Sequence, residues 1–98
     1  MDSCHEIVFF QFTPGTSLPQ QRAHMESMMA WVRRQPGFVS RACFHDAGRD
    51  AWVDHVVWTD EASAKAAFAS IGAASELAAA MQAIAPEGMV AGHYVELL

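Results

Sequence analysis

The chain has 98 residues, 52% of them hydrophobic and 17% charged, and a formal net charge of −5. These values exclude intrinsic disorder, because disordered chains are poor in aromatic residues and rich in charge. The acidic balance and the scattered basic residues argue against nucleic acid as a partner, since binding it needs clustered Lys and Arg. We predict one domain, residues 1–98, with more apolar surface than so small an interior can bury.

The sequence gives no indication of export or membrane attachment. Residues 1–6 (MDSCHE) have no positively charged region before an apolar stretch, so we expect no signal peptide. The longest apolar runs are too short to span a bilayer, and no polybasic patch is present. Cys4 and Cys43 show no metal-type spacing and are expected to be buried free thiols. We therefore expect a cytoplasmic protein with no membrane partner.

The first predicted element is a strand over residues 6–13 (EIVFFQFT), closed by the turn signal Pro14-Gly15. Alternate side chains of a strand point to opposite faces of its sheet, and here both faces are largely apolar. A strand with one wet face should alternate polar and apolar residues, so this strand is predicted to be covered on both sides. One face carries Val8, Phe10 and Phe12; the other carries Ile7, Phe9 and Gln11.

A capping-box pattern follows, with a Ser17 hydroxyl, a Pro in the first turn and Gln20 three residues on. It predicts a helix that runs to about Gln35, where Pro36-Gly37 ends it. Apolar residues gather on one side of this helix and form the predicted packing stripe: Leu18, Met25, Met28, Met29 and Val32.

The rest of the chain divides into two strands, two helices and a last strand, predicted at residues 38–45, 51–59, 61–71, 75–84 and 89–98. Residues 46–50 form a hairpin loop between the strands predicted at 38–45 and 51–59. Thr59 supplies a hydroxyl cap, followed by two acids, at the start of the next helix. Alanine-rich sequence over residues 62–85 predicts close packing of the helices on the sheet. The last strand is centred on residues 93–97.

The predicted order β-α-β-β-α-β has few compact solutions. Two right-handed crossovers interleave into a four-stranded antiparallel sheet with both helices on one face, which is the ferredoxin-like α+β fold. By strand parity, the opposite face carries Ile7, Phe9, Val53 and Val57. A monomer would leave this apolar face in water, and a second copy of the sheet is its simplest cover. We therefore predict a homodimer through the open sheet face.

Three segments of the chain resemble the antibiotic biosynthesis monooxygenase superfamily, a group of small dimeric α+β-barrel proteins. They are FQFTPG (residues 10–15), RRQPGF (residues 33–38) and WVDHVVWTDEASAKAA (residues 52–67), and the resemblance extends over nearly the whole chain. It implies two sheets packed face to face, with a separate pocket in each subunit between helices and sheet. Characterised members include cofactor-free oxygenases of polycyclic phenols and quinols, and haem-degrading enzymes.

The resemblance also implies where the pocket lies. In the aromatic oxygenases a strand-end Trp and an amide residue four positions earlier line it, and these positions are Trp58 and Asp54 here. The Trp matches, whereas the amide is replaced by an acid. Relatives also place a Tyr or His on the following helix, and residues 60–72 contain neither. This departure disfavours haem, because haem iron needs an axial ligand. No cofactor is expected, and the spacing of the five His predicts no metal site.

Two residues are predicted to act on protons. A carboxylate at Asp54, between two Trp, would have a raised pKa and could accept a proton from a phenol. The alternative is that Asp54 pairs with Arg41 or with a backbone donor at a helix terminus, since buried carboxylates are usually paired. His24, on the first helix, could act as a pocket acid or base. His55 has the opposite strand parity to Asp54 and should face the subunit interface, where it would make dimerisation sensitive to pH.

The aromatic residues predict how a ligand would be held. Trp58 and Trp31 could sandwich a planar molecule, and the same residues could also simply fill the core. The predicted substrate-binding set is Trp58, Trp31, Phe10 and Met28. An open cavity on the order of 300 Å³ or more would support ligand binding.

Three functions remain open at this point. The first is a cofactor-independent monooxygenase acting on a small aromatic or quinol substrate, which would supply its own electrons once deprotonated. The second is a non-catalytic, dimeric small-molecule-binding or stress-response protein of the same fold. The third is a purely structural interaction domain, for which an occluded cleft would be the sign.

Overall fold

The computed structural model describes residues 2–98, and within this range seven regular elements build the domain. They are β1 (Cys4–Gln11), α1 (Leu18–Val32), β2 (Phe38–Asp46), β3 (Ala51–Trp58), α2 (Glu61–Ser70), α3 (Ala78–Ala83) and β4 (Val90–Tyr94). Two 3-10 turns, at residues 71–73 and 75–77, join α2 to α3. In this described part, no helix is both long and apolar enough to cross a membrane.

The strands form one antiparallel sheet in the order β2-β3-β1-β4. The connection from β1 through α1 to β2 and the one from β3 through α2 and α3 to β4 interleave as in the ferredoxin-like α+β fold. The predicted fold is therefore confirmed. In the register between the two central strands, Val8 lies opposite Asp54 and Phe10 lies opposite Trp52. Even-numbered residues of β1 and β3 therefore share one face, which is the face covered by the helices.

The covered face holds the core in two clusters. One surrounds Trp58 and contains Cys4, Trp31, Val32, Val56, Ala64, Ala67 and Leu77. The other surrounds Trp52 and contains Phe10, Phe12 and Met25. Since Ala64 and Ala67 are almost fully buried, α2 approaches the sheet closely, as the alanine-rich sequence predicts.

The first helix keeps its predicted start and loses part of its predicted stripe. Ser17 and Gln20 form the capping box, with the Gln20 N–H donating to Ser17 Oγ at 3.3 Å and the Ser17 N–H donating to Gln20 Oε1 at 2.9 Å. Leu18 was expected in the core and is instead 46% exposed, because it lies in the first helical turn, beyond the edge of the packed region. The helix ends at Val32, and hydrogen-bonded turns carry the chain to Gln35.

Two later boundaries also differ from the sequence-based expectation. Asp60, not Thr59, caps α2, and its carboxylate accepts a hydrogen bond from the Ser63 N–H at 2.7 Å. A carboxylate is favourable there because it also meets the positive end of the helix dipole. β4 ends at Tyr94, so the expected centre of this strand at residues 93–97 is wrong.

The opposite surface of the sheet, called here the open sheet face, is apolar and uncovered within the chain. Phe9 is 45% exposed and Phe44 is 59% exposed, so a single chain leaves this face in water, as the sequence predicts for a monomer. Strand parity places Ile7, Val53 and Val57 on the same face. At its centre, His5 Nδ1 lies 2.9 Å from His55 Nε2, which confirms that His55 points away from Asp54.

Candidate functional site

A cavity of about 140 Å³ lies between the covered face of the sheet and the helices. Its lining includes the whole predicted substrate-binding set, namely Trp58, Trp31, Phe10 and Met28. Phe68 and Met89, which are 64% and 44% exposed, line it from the outer side and mark its mouth. The volume is below the expected 300 Å³ or more, and it is close to the roughly 150 Å³ of an engineered apolar cavity that binds benzene. The space therefore matches one aromatic ring.

The local sequence explains why the space forms at this end of the sheet. Every second residue of β3 points toward the helices, which places Asp54, Val56 and Trp58 along the cavity wall. The helix above contributes Ala67, whose small side chain leaves room that a larger residue would fill. Residues of α1 close the remaining side with flexible and aromatic groups. The cavity is thus a gap between large aromatic groups and a small-residue helix surface.

Asp54 lines the cavity as part of a buried ion pair. Arg41 Nε donates to Asp54 Oδ1 at 2.9 Å and Arg41 Nη2 donates to Oδ2 at 2.7 Å, while Arg41 Nη1 donates to the Met25 carbonyl at 2.9 Å. The two side chains are 2% and 13% exposed. Burial alone would lower the pKa of Arg41, but the hydrogen bond and charge of Asp54 outweigh it and raise this pKa. The pairing considered as the alternative to a free base is therefore what the structure shows.

Cys43 lies beside this pair, with its Sγ 3.7 Å from Asp54 Oδ1. Burial, and next the charge of Asp54, raise the pKa of Cys43 to about 11. At neutral pH this group is a neutral thiol, which is a weak hydrogen-bond donor rather than a nucleophile. Cys43 and Cys4 are both free.

A second carboxylate on the cavity wall, Glu6, was missed by the sequence analysis. The Trp58 Nε1–H donates to Glu6 Oε1 at 3.3 Å, and His93 Nε2 lies 3.3 Å from Glu6 Oε2. The Glu6 side chain is 15% exposed and that of His93 is 26% exposed. Strand parity carried the missing signal, because Glu6 shares its face of β1 with Val8 and Phe10.

His24, the second residue predicted to move protons, is not brought to the cavity. Its ring stacks on Phe12, with 5.8 Å between ring centroids and 20° between ring planes. The physical reason is its place on α1, one turn before Met28, where the helix crosses the Trp52 end of the sheet. Asp54 and the four predicted binding residues therefore share one site, and His24 lies outside it.

Three other histidines contact side chains that do not line the cavity. His45 Nε2 lies 2.8 Å from Asp50 Oδ1, and His5 contacts His55 on the open sheet face. Among residues 2–98, no group of three or more His, Cys, Asp or Glu side chains is arranged to hold a metal ion.

Comparison with known proteins identifies the fold and not the activity. No family model matches the chain, and no curated protein matches it. Among solved structures, a variant of SnoaB, a cofactor-independent oxygenase from Streptomyces nogalater, matches with a TM-score of 0.76 and 21% identity over 96% of this chain and 92% of that one. A candidate antibiotic biosynthesis monooxygenase from Bordetella bronchiseptica matches with a TM-score of 0.81 and 15% identity over 100% of both chains. Another from Chloroflexus aurantiacus has a TM-score of 0.71 and 22% identity, over 97% of this chain and 93% of that one.

These similarities agree with the resemblance drawn from the sequence. From its first strand to its last, the chain has the fold of a cofactor-independent oxygenase and of two candidate antibiotic biosynthesis monooxygenases. Because fold does not determine chemistry, the activity has to be argued from the cavity itself.

Proposed function

We propose that this protein is a cofactor-independent monooxygenase that acts on a small aromatic substrate, in particular a quinol. The observation that carries the proposal is the ring-sized cavity, which is lined by aromatic side chains and carries two carboxylates on its wall. Apolar pockets with a few converging polar groups are the usual form of small-molecule sites. The likeness in fold to SnoaB, described as a cofactor-independent oxygenase, supports the reaction type.

The proposed reaction balances with oxygen as the sole oxidant. A hydroquinone and O2 give a hydroxybenzoquinone and water, so one oxygen atom enters the ring and the other leaves as water. All four electrons come from the substrate, which reacts with oxygen once a hydroxyl group has lost its proton. The protein has to bind the ring, exclude bulk water and accept this proton.

The residues of the cavity have distinct proposed roles. Trp58 and Trp31 pack against the ring, with Phe10 and Met28 completing the apolar wall. Asp54 orients a hydroxyl group through a lone pair that Arg41 leaves free, because a carboxylate has about four acceptor sites. The bidentate pair with Arg41 suits orientation better than proton removal.

The test is oxygen uptake with hydroquinone at pH 7, measured above the rate of spontaneous autoxidation. Ala67→Met should fill the cavity and lower the rate at least tenfold, because Ala67 lines it and is 5% exposed. Ala66→Met is the matched control, since Ala66 is exposed on the next position of α2 and does not line this cavity. Equal rates in the two variants, or no uptake by the unmodified protein, would contradict the proposal.

We also propose that the protein is a homodimer in the cytoplasm, with a second copy covering the open sheet face. The exposure of Phe9, Phe44 and Tyr94 on this face supports the first part, because large exposed apolar patches usually mark an interface. The free thiols of Cys4 and Cys43 suit a reducing compartment. Phe44→Glu should give a folded monomer in sedimentation equilibrium, whereas Ala69→Glu on α2 should stay dimeric. An unmodified protein that is monomeric at micromolar concentration would exclude the dimer.

The contact of His5 with His55 makes the proposed dimer sensitive to pH. On the open sheet face, Val57 and Tyr94 lie opposite His5, and Ile7 and Ala42 lie opposite His55. A second copy would remove both imidazoles from water, which costs more free energy for their charged forms, so acid should weaken the dimer and neutral pH should strengthen it. Sedimentation between about pH 5.5 and pH 8 tests this, and an unchanged dimer would refute it.

A second candidate function is a non-catalytic, dimeric small-molecule-binding or stress-response protein, which binds a small hydrophobic molecule without transforming it. The specific observation in its favour is the neutralisation of Asp54 by Arg41. Binding of phenol with no oxygen uptake from any small quinol would favour this second function.

A further inference from the structure

The cavity wall carries three ionisable residues, and only one of them has its charge uncompensated by a buried partner of opposite charge. Arg41 and Asp54 neutralise each other through two hydrogen bonds. Glu6 is the third, and the rest of the lining is apolar. Any polar group that a ligand carries into this space has to find its partner among these residues, since an unpaired buried polar group is costly.

The contacts of Glu6 hold it in place and leave it able to accept another bond. Its two oxygens each have one neighbour, the Trp58 N–H and His93 Nε2, both at 3.3 Å. Hydrogen bonds to a carboxylate are usually shorter, about 2.7–2.9 Å. Each oxygen also keeps a second lone pair. A hydroxyl group in the cavity can therefore donate to Glu6 while Trp58 fixes the orientation of the carboxylate.

His93 lies between Glu6 and solvent. It lies directly opposite Glu6 in the register of β1 and β4, and its side chain is 26% exposed. His93 also interacts electrostatically with Glu61 of α2, which pairs with Lys65 at 2.9 Å. The hydrogen bond and the charge of Lys65, and then the charge of His93, lower the pKa of Glu61. His93 thus lies between the Glu6 carboxylate of the cavity and solvent.

We propose that Glu6 accepts the proton of a phenolic hydroxyl bound in the cavity and that His93 passes this proton to solvent. This inference rests on the proposed function and adds the proton acceptor that Asp54, bound to Arg41, does not supply. The ligand class it implies is a single-ring phenol or hydroquinone.

The proton transfer balances without a redox step. The substrate O–H bond breaks, its electron pair stays on oxygen as a phenolate, and the proton forms a carboxylic acid on Glu6. Glu6 then returns to a carboxylate by giving the proton to His93 Nε2. The imidazolium ion releases its Nδ1 proton to water. Proton exchange with solvent then moves the remaining proton from Nε2 back to Nδ1, and the site is ready for the next substrate.

The first test compares two glutamate-to-glutamine variants in oxygen uptake with hydroquinone. Glu6→Gln should lower kcat by roughly 10²–10⁴-fold, the usual contribution of a positioned acid or base, with KM changed less than about threefold. Glu76→Gln, a control at an exposed glutamate that does not line the cavity, should keep the unmodified rate. A Glu6→Gln variant that stays within twofold of that rate would overturn the proposal.

His93 has its own test, which a purely structural role would not pass. His93→Ala should lower kcat, and added imidazole should restore it in proportion to its concentration, because a small base can then take the proton from Glu6. Imidazole should have no such effect on Glu6→Gln. Loss of activity in His93→Ala that imidazole does not restore would remove His93 from the pathway.

A binding experiment separates this proposal from the oxygenase proposal. Phenol and toluene have nearly the same shape, and calorimetry should show that the unmodified protein binds phenol more tightly. Glu6→Met should abolish this preference. If the preference depends on Glu6 but no quinol supports oxygen uptake, the oxygenase proposal fails and the Glu6 site stands. If Glu6→Met keeps the preference, the Glu6 proposal fails whatever the oxygen uptake.

Discussion

Two tryptophans of the same strand show how a structural end and a functional end of one core differ. Trp52 and Trp58 both lie on the covered face of β3, and they are 8% and 1% exposed. The Trp52 Nε1–H donates to the buried amide oxygen of Gln21 at 2.8 Å. The Trp58 Nε1–H donates to the carboxylate of Glu6 at 3.3 Å and lines the cavity.

Every polar group of the Gln21 side chain has a hydrogen-bond partner. Its amide N–H groups donate to the Thr16 carbonyl at 2.9 Å and to Asp50 Oδ2 at 3.1 Å, while its oxygen accepts from Trp52. This network ties the start of α1 to the β2–β3 hairpin. At the Trp58 end, the carboxylate of Glu6 has two contacts of 3.3 Å and borders the cavity. The two tryptophans are alike in residue type and in burial. What distinguishes the structural end from the functional end is the hydrogen-bond partner of the indole N–H.

Breaking the ion pair that lies between the two ends should have the largest effect on stability. Asp54→Ala leaves the Arg41 guanidinium, 2% exposed, without its counter-ion. Removing one partner of a buried pair usually costs about 3–5 kcal/mol. Urea-induced unfolding should therefore show a fall of this size in the free energy of unfolding. Oxygen uptake of this variant has to be compared at equal folded protein, because lost folding would imitate lost chemistry.

The matched control for this change is the double variant Arg41→Met/Asp54→Leu. Apolar groups of similar volume often replace a buried ion pair without loss of stability, so the double variant should recover most of the stability that Asp54→Ala loses. A double variant no more stable than Asp54→Ala would show that the pair itself stabilises the fold.

An intermediate effect is expected at the Trp52 end. Gln21→Leu leaves the Trp52 N–H buried without an acceptor, which usually costs about 1–3 kcal/mol. Oxygen uptake should stay unchanged, since Gln21 does not line the cavity. Glu6→Gln should do the reverse, with little change in the free energy of unfolding and a large loss of rate. Gln21→Leu with reduced uptake at equal folded protein would mean that the two ends are coupled.

Much of this comparison could be predicted from the sequence, because strand parity depends only on counting residues. Counting placed Asp54, Trp58 and Phe10 on one face, and the capping box at Ser17 fixed the start of α1. Phases along a helix are less exact over fifteen residues, which is why Leu18 and His24 were assigned to the packed side or the pocket. The same counting places Glu6 on the covered face, but we did not consider it because it is the first residue of the predicted strand.

Other features depend on three-dimensional packing and could not be predicted. The partner of each indole N–H is decided by residues far apart in the chain, 31 positions for Trp52 and 52 for Trp58. The cavity volume depends on how closely α2 approaches the sheet. Pairing of Asp54 with Arg41 was foreseen as one of two alternatives, and only the register of β2 against β3 decides between them.

The smallest predicted effect concerns the thiol beside the ion pair. Burial and the charge of Asp54 raise the pKa of Cys43 from its ordinary 9.0 to about 11, so alkylation by iodoacetamide at pH 8 should be slow in the folded protein. Because the raised pKa favours the neutral thiol, folding should lose stability as the pH rises from 9.0 to about 11. Asp54→Asn removes the charge and keeps the burial, so Cys43 should react several-fold faster. Mass spectrometry of the modified peptide measures this rate, and an unchanged rate would show that burial alone protects the thiol.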